Sequence, residues 1–239
     1  MDRDNIKVTA TELNTDALMG AEISVQLENN SAQNITVQVR NCTVNNLMID
    51  PLFSAEVAAG KKANDTITFM SSDLKTSEIT VIQAVEFSIH VFDSDTFETI
   101  CDTERITLTT TADPSYTQVF DDSGFTAVDD GGVKIVVKKM NSSDSFWGAD
   151  IYLYLENNTD KNITVQAKDV SINGYMVDPF FSCDIVAGKK AVDTITFMQS
   201  DLDDNNITDI QDLELKFHIF DTDTWDGIKD TDAITITFE

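Results

Sequence analysis

Gly60-Lys61-Lys62-Ala63-Asn64-Asp65-Thr66-Ile67-Thr68-Phe69-Met70 returns as Gly188-Lys189-Lys190-Ala191-Val192-Asp193-Thr194-Ile195-Thr196-Phe197-Met198. The Thr-Ile-Thr-Phe core of this stretch is rich in strand formers, and a glycine-lysine reversal precedes it. Its second copy lies 128 positions downstream, and the same spacing links Glu28-Asn29-Asn30 to Glu156-Asn157-Asn158 and Asn34-Ile35-Thr36-Val37-Gln38 to Asn162-Ile163-Thr164-Val165-Gln166. The pairing runs without a gap from Gly20/Gly148 to Thr109/Thr237, with about half the positions identical. A period this long is a whole domain rather than a solenoid unit. Both halves must therefore share one fold.

The apolar pattern outside this stretch has period two. Ile23, Val25 and Leu27 alternate with Glu22, Ser24 and Gln26, and Phe87, Ile89 and Val91 alternate with Glu86, Ser88 and His90. Ile151, Leu153, Leu155 and Leu215, Phe217, Ile219 repeat both rows. One face of each strand is buried and one is wet, as in antiparallel sheets. Asn45-Asn46 and Asn173-Gly174 supply residues that tolerate the positive φ of a tight hairpin, and Ser72-Asp73-Leu74 and Ser200-Asp201-Leu202 read as caps of one short helical turn. Each repeat offers seven or eight strands. The expectation is all-β: two tandem immunoglobulin-like β-sandwich domains of the same fold, with a small closed barrel as the alternative.

The predicted domains are repeat 1 over 1–111 and repeat 2 over 132–239. The segment 112–131 between them carries turn chemistry, yet Tyr116, Val119, Phe120 and Phe125 are too apolar for a free tether. This segment is expected to pack on a domain, as an extra strand of repeat 2.

Forty-two acidic residues against 16 basic ones give a net charge of −26, spread through both halves. Such a surface repels phosphate backbones and anionic headgroups, which excludes nucleic acid, and suits divalent cations or a basic partner. No apolar run reaches membrane-spanning length, so no membrane insertion is expected of this chain. Met1-Asp2-Arg3-Asp4-Asn5 has no apolar h-region, and the immediate start of repeat 1 at Ile6-Lys7-Val8 suggests a leader already removed. Cys42, Cys101 and Cys183 face Val170, Lys229 and Ala55 in the other repeat, so the repeats share no disulfide framework. Cys42 and Cys101 could bridge within repeat 1; buried free thiols are the preferred reading.

Three groups of residues are candidates for chemistry. The acidic run Asp93, Asp95, Asp102 and its counterpart Asp221, Asp223, Asp226, Asp230 could hold Ca²⁺, although an aromatic, Phe97 or Trp225, stands where an EF-hand needs a ligand and no glutamate closes the loop. The alternative is that these carboxylates accept backbone N–H groups in turns. Repeat 2 has private aromatics, Trp147, Tyr152, Tyr154 and Tyr175, which could stack on sugars or anchor a protein, or else pack against the 112–132 segment or the other repeat. His90 and His218 stand at equivalent positions near Asp93 and Asp221, but no nucleophile elbow, metal spacing or glycine-rich phosphate loop accompanies them. A catalytic role is not expected, and no cofactor beyond Ca²⁺. The eight Asn-x-Ser/Thr triplets, Asn34, Asn64, Asn162 and Asn206 among them, signify glycosylation only in a eukaryotic secretory host.

The shared motif Glu-Asn-Asn, Asn-Ile-Thr-Val-Gln, Asp-Pro-x-Phe-Ser, Ala-Gly-Lys-Lys-Ala, Asp-Thr-Ile-Thr-Phe-Met, Ser-Asp-Leu, Phe-Asp-x-Asp-Thr resembles uncharacterised immunoglobulin-like repeats of secreted proteins and lipoproteins of Gram-positive anaerobic bacteria. The resemblance covers both repeats and brings no catalytic residues. It implies an extracellular or cell-surface location and a non-enzymatic binding or adhesion role toward a protein or glycan. A carbohydrate-binding module and a structural spacer in a larger surface protein are the alternatives.

Overall fold

The structure is a computed structural model that describes residues 1–141 and 148–238. The chain forms two compact units, Met1–Gln118 and Val119–Glu239.

Unit 1 contains β1 (Asp2–Arg3), β2 (Ile6–Ala17), β3 (Gly20–Asn29), β4 (Ile35–Val44), β5 (Leu47–Met48), β6 (Ser54–Val57), β7 (Lys62–Met70), α1 (Ser71–Thr76), β8 (Ala84–Asp93), β9 (Thr99–Asp102) and β10 (Ile106–Thr109). One sheet runs β1-β2-β3-β7. In the other, β4 pairs with β8; β5 and β6 share the far edge of β4, while β9 and β10 share the far edge of β8. All these pairs are antiparallel. The chain crosses between sheets after β3, after β6 and again after α1, which is the Greek-key path of an immunoglobulin-like sandwich.

Unit 2 repeats that path with β11 (Phe125–Asp130), β12 (Val133–Asn141), β13 (Gly148–Asn157), β14 (Ile163–Ile172), β15 (Tyr175–Met176), β16 (Ser182–Ile185), β17 (Lys190–Met198), α2 (Gln199–Asp204), β18 (Asp212–Asp221), β19 (Gly227–Asp230) and β20 (Ile234–Thr237). Its sheets are β11-β12-β13-β17 and β14-β18, flanked by β15, β16, β19 and β20. The β11 strand comes from the inter-repeat segment and pairs Asp130 with Val133 across the Gly131-Gly132 turn. Asp4-Asn5 makes the same turn in unit 1, with φ of 53° and 61° against 61° and 83° for the glycines.

Equivalent residues meet equivalent surroundings. Ile23 and Ile151 are 4% and 0% exposed, and Phe69 and Phe197 are 0% and 1% exposed. Each such side chain contributes about 1.5–3 kcal/mol of burial. The hairpin turns also follow the sequence: Asn45, Asn46, Asn173 and Gly174 all take positive φ, as a two-residue turn between right-twisted strands requires. The helix caps differ from expectation. β7 and β17 run straight into α1 and α2, so the N-cap positions fall on Met70 and Met198, with no side-chain cap bond, and Ser72 bonds Asp73 instead. All three cysteines are buried, and none is in a disulfide.

The outer face of unit 2 carries a second, smaller core. Val136 and Tyr154 pair across β12 and β13 and are 0% and 2% exposed. Residues 119–124 close over them: Lys138 and Lys134 hold Asp121 and Asp122, and Lys190 Nζ stands 5.0 Å from the Phe120 ring and 5.5 Å from that of Tyr154. Beneath, Tyr154 Oη and Lys190 Nζ both donate to Glu156 Oε1 at 2.6 Å. Burial alone would raise the Glu156 pKa; the bonds from Lys190, Tyr154 and Asn158 outweigh it and bring it down to about 2, from 4.5. A depressed folded value means the linked stability is present above pH 4.5 and is lost as pH falls toward 2. After screening by solvent this amounts to roughly 1–2 kcal/mol. The unfolding free energy of the wild type in urea titrations should therefore fall by that much more than that of Glu156→Gln between pH 5 and pH 2; parallel curves would refute the coupling.

Candidate functional site

The strongest shared surface feature is the hairpin tip between β8 and β9, repeated between β18 and β19. Asp93 ends β8 with its side chain buried, and its Oδ1 accepts the backbone N–H groups of Asp95 and Thr96, both at 2.9 Å. Its Oδ2 accepts Gln33 Nε2 at 2.9 Å. The Asp93 N–H reaches Glu98 O and the Phe97 N–H reaches Asp93 O, each at 2.9 Å. Four residues, 94–97, are thus folded into a closed loop whose last member must be left-handed. Asp221 builds the same loop through the N–H groups of Asp223 and Thr224, and Lys161 Nζ lies 3.0 Å from its Oδ2. Both aspartates are held below the ordinary carboxylate pKa, Asp93 chiefly by the Thr96 and Asp95 N–H groups and Asp221 chiefly by Lys161. Hydrogen bonds to the ionised form favour it.

The left-handed position holds an aromatic in each copy, Phe97 at φ 62° and Trp225 at φ 65°. Glycine or asparagine is the usual choice there, because a Cβ in this region costs about 1–2 kcal/mol. Each ring turns back onto the strand: Phe97 stacks on Phe92 at 6.1 Å and Trp225 on Phe220 at 5.5 Å. His90 and His218 extend the stacks, 5.4 Å from Phe92 and 5.2 Å from Phe220. One face of each outer ring is covered and the rest is open, leaving both Phe97 and Trp225 76% exposed.

Such a stack returns about 0.5–1.5 kcal/mol, close to the backbone strain. Trp225→Gly is therefore expected to shift the stability of unit 2 by less than about 1 kcal/mol in urea titration. A loss near the 3–5 kcal/mol of a core aromatic would show the ring to be a packing element instead.

The histidines pair with aspartates that the sequence reading did not choose. Cross-strand register sets His90 opposite Asp102 and His218 opposite Asp230, and Nδ1 lies 2.7 Å and 2.6 Å from Oδ1. Asp93 and Asp221, their neighbours in sequence, are turned into the loops. The acidic residues consequently separate: Asp93 and Asp221 close the turns, Asp102 and Asp230 meet the histidines, and Asp95 and Asp223 accept Asn34 and Asn162 amides at 3.3 Å and 3.2 Å. Asp226 accepts Thr224 Oγ1 at 3.0 Å. Among the described residues no three His, Cys, Asp or Glu gather into a group that could hold a metal ion.

The private aromatics of repeat 2 have different surroundings. Tyr154 is buried under residues 119–124, Lys139 Nζ sits 5.0 Å over the Tyr152 ring, and Trp147 lies outside the described residues. Tyr175 stands apart on β15, 52% exposed. An open cleft of about 850 Å³ in unit 1 is lined by aliphatic and threonine side chains, among them Leu13, Ile23, Ile82 and Leu108, with Glu12 as its one ionisable residue. No helix among the described residues is long and apolar enough to cross a membrane.

No family model and no curated protein matches the chain. Among solved structures it is similar to the YadV chaperone at 12% identity, covering 98% of this chain and 100% of that one, with a TM-score of 0.30. It is also similar to the Salmonella enterica SafA pilin in complex with the SafB chaperone, at 11% identity, 98% and 96% coverage and a TM-score of 0.26. A third is the CsuC-CsuE chaperone-tip adhesion subunit pre-assembly complex of Acinetobacter baumannii, at 13% identity, 90% and 91% coverage and a TM-score of 0.25.

Proposed function

We propose that the chain is a non-enzymatic, cell-surface binding protein whose two sandwiches each present an aromatic hairpin tip to a partner. The observation that carries this reading is the matched pose of Phe97 and Trp225, equally exposed at the same left-handed position. The fold gains almost nothing from an aromatic there, since strain and stacking cancel, and glycine would close the same loop. Two copies that differ at about half their positions nonetheless both place a large ring at this point. Exposed aromatics on rigid hairpins are the residues that anchor partners, because they offer much contact area at small entropic cost.

The burial of Tyr154 takes one of the aromatics from the carbohydrate-module alternative. The spacer alternative predicts that the tips are dispensable. Retention of the wild-type chain and of the folded Phe97→Leu/Trp225→Leu variant on immobilised basic peptides, acidic peptides and neutral glycans separates the readings. Retention of the wild type that the variant loses is expected. Identical profiles would favour the spacer.

A further inference from the structure

Each ring is flanked in the chain by carboxylates, and at the Trp225 tip the Lys161 ammonium, held on Asp221, also lies within the field of Asp226. Phe97 stands between Asp95 and Glu98, and Trp225 between Asp223 and Asp226, all on the exposed part of the loop. Among the described residues none of these four carboxylates is in a salt bridge with a lysine or arginine, although the chain makes such bridges elsewhere, as at Lys62–Glu28 and Lys216–Asp169. The amides of Asn34 and Asn162 reach Asp95 and Asp223 from the β4 and β14 side, fixing the carboxylates while leaving further lone pairs free. A ring face is itself the negative pole of the aromatic quadrupole.

We infer that each tip receives a cationic side chain, arginine foremost, from a basic segment of a partner protein. This rests on the reading of the tips as binding surfaces. A guanidinium is flat, stacks on an aromatic face and donates in a fork that two neighbouring carboxylates can take up; an ammonium offers only its point charge. A neutral sugar needs donors as well as acceptors around its hydroxyls, and the borders of the Phe97 ring supply acceptors. The net charge of −26 adds long-range attraction that steers a basic partner and weakens as salt rises.

The test titrates a fluorescent nonapeptide of alternating arginine and glycine into the intact chain. Comparison peptides carry lysine, or citrulline, which keeps the arginine shape without the charge. Phe97→Leu/Trp225→Leu holds the net charge constant, so attraction by bulk charge alone would survive in it. Binding in the order arginine, lysine, citrulline is expected, with affinity falling about two- to fivefold for each ring removed. Phe97→Gly/Trp225→Gly, which relieves the left-handed backbone, gives the same readout should leucine impair folding. Equal affinity of wild type and ring variants for the arginine peptide overturns the inference. A neutral glycan that the wild type binds and the variants lose also overturns it, while leaving the tips as binding surfaces; loss of no probe at all removes both.

Discussion

Gly148→Ala is expected to destabilise unit 2 by more than about 3 kcal/mol. Gly148 opens β13 at φ 150°, and a Cβ there would lie 2.3 Å from Phe197 O and 2.6 Å from Gln199 N. Both are backbone atoms at the point where β17 passes into α2, so no side-chain rotation relieves the clash. The Gly148–Met198 register must open, and with it the first turn of the helix. Gly20 repeats the situation, with Phe69 O at 2.1 Å and Ser71 N at 2.6 Å. Gly60 and Gly188 provide the control. They are left-handed at φ 69° with nothing within 4 Å, so alanine there costs only the conformational strain, about 1 kcal/mol. Thermal melts should show Gly148→Ala about 10 °C or more below the wild type and Gly188→Ala a few degrees below. Similar midpoints for the two variants would mean that the strand end yields freely, and the close approach would not be structural.

Much of this arrangement was legible before any coordinates, and what was not has a common cause. Alternation along Ile23–Leu27 and Ile151–Leu155 and the 128-residue spacing identify strands, faces and duplication, because these are local or self-referential signals. The burial of Tyr154 is not local. Period two correctly turns it away from the main core and leaves stacking on a ligand and packing against the inter-repeat segment both open; residues 119–124, from a different part of the chain, cover that face. The histidine contacts are non-local in the same way: Asp93 is three residues from His90 in sequence, whereas the hairpin register delivers Asp102. Phe97 and Trp225 were visible as the residues that spoil an EF-hand. Their importance depends on a left-handed φ and a stack that no residue pattern displays, since glycine or asparagine is the usual sign of that backbone state. A phenylalanine and a tryptophan in equivalent turn positions of a duplicated chain were the one available signal.

Asn157→Leu is expected to cost about 3 kcal/mol, and Asn157→Asp at least as much, although the aspartate is nearly isosteric. Asn157 is fully buried. Its Nδ2 donates to Lys161 O at 2.7 Å and Ile185 O at 2.8 Å, while Oδ1 accepts the Thr159 N–H at 3.0 Å and its hydroxyl at 2.7 Å. Leucine leaves two carbonyls and an amide without their partner; a carboxylate would face those carbonyls as well, adding repulsion to the loss. Asn29 makes the matching set with Gln33, Val57 and Ser31, which is the physical content of the repeated Glu-Asn-Asn motif. The clip fixes the end of β13, the start of β14 and β16 together. From there the order passes to the tip: Ile163 pairs with Asp221, and Asn162 O accepts the Thr222 N–H at 3.0 Å. Asn157→Asp should therefore lower the urea midpoint and also expose the Trp225 stack, seen as a red-shifted, more quenchable tryptophan emission under native conditions when Trp147 is replaced by phenylalanine in both proteins. A destabilised variant whose Trp225 emission stays at the wild-type wavelength would separate the clip from the tip and confine its role to holding the sandwich closed.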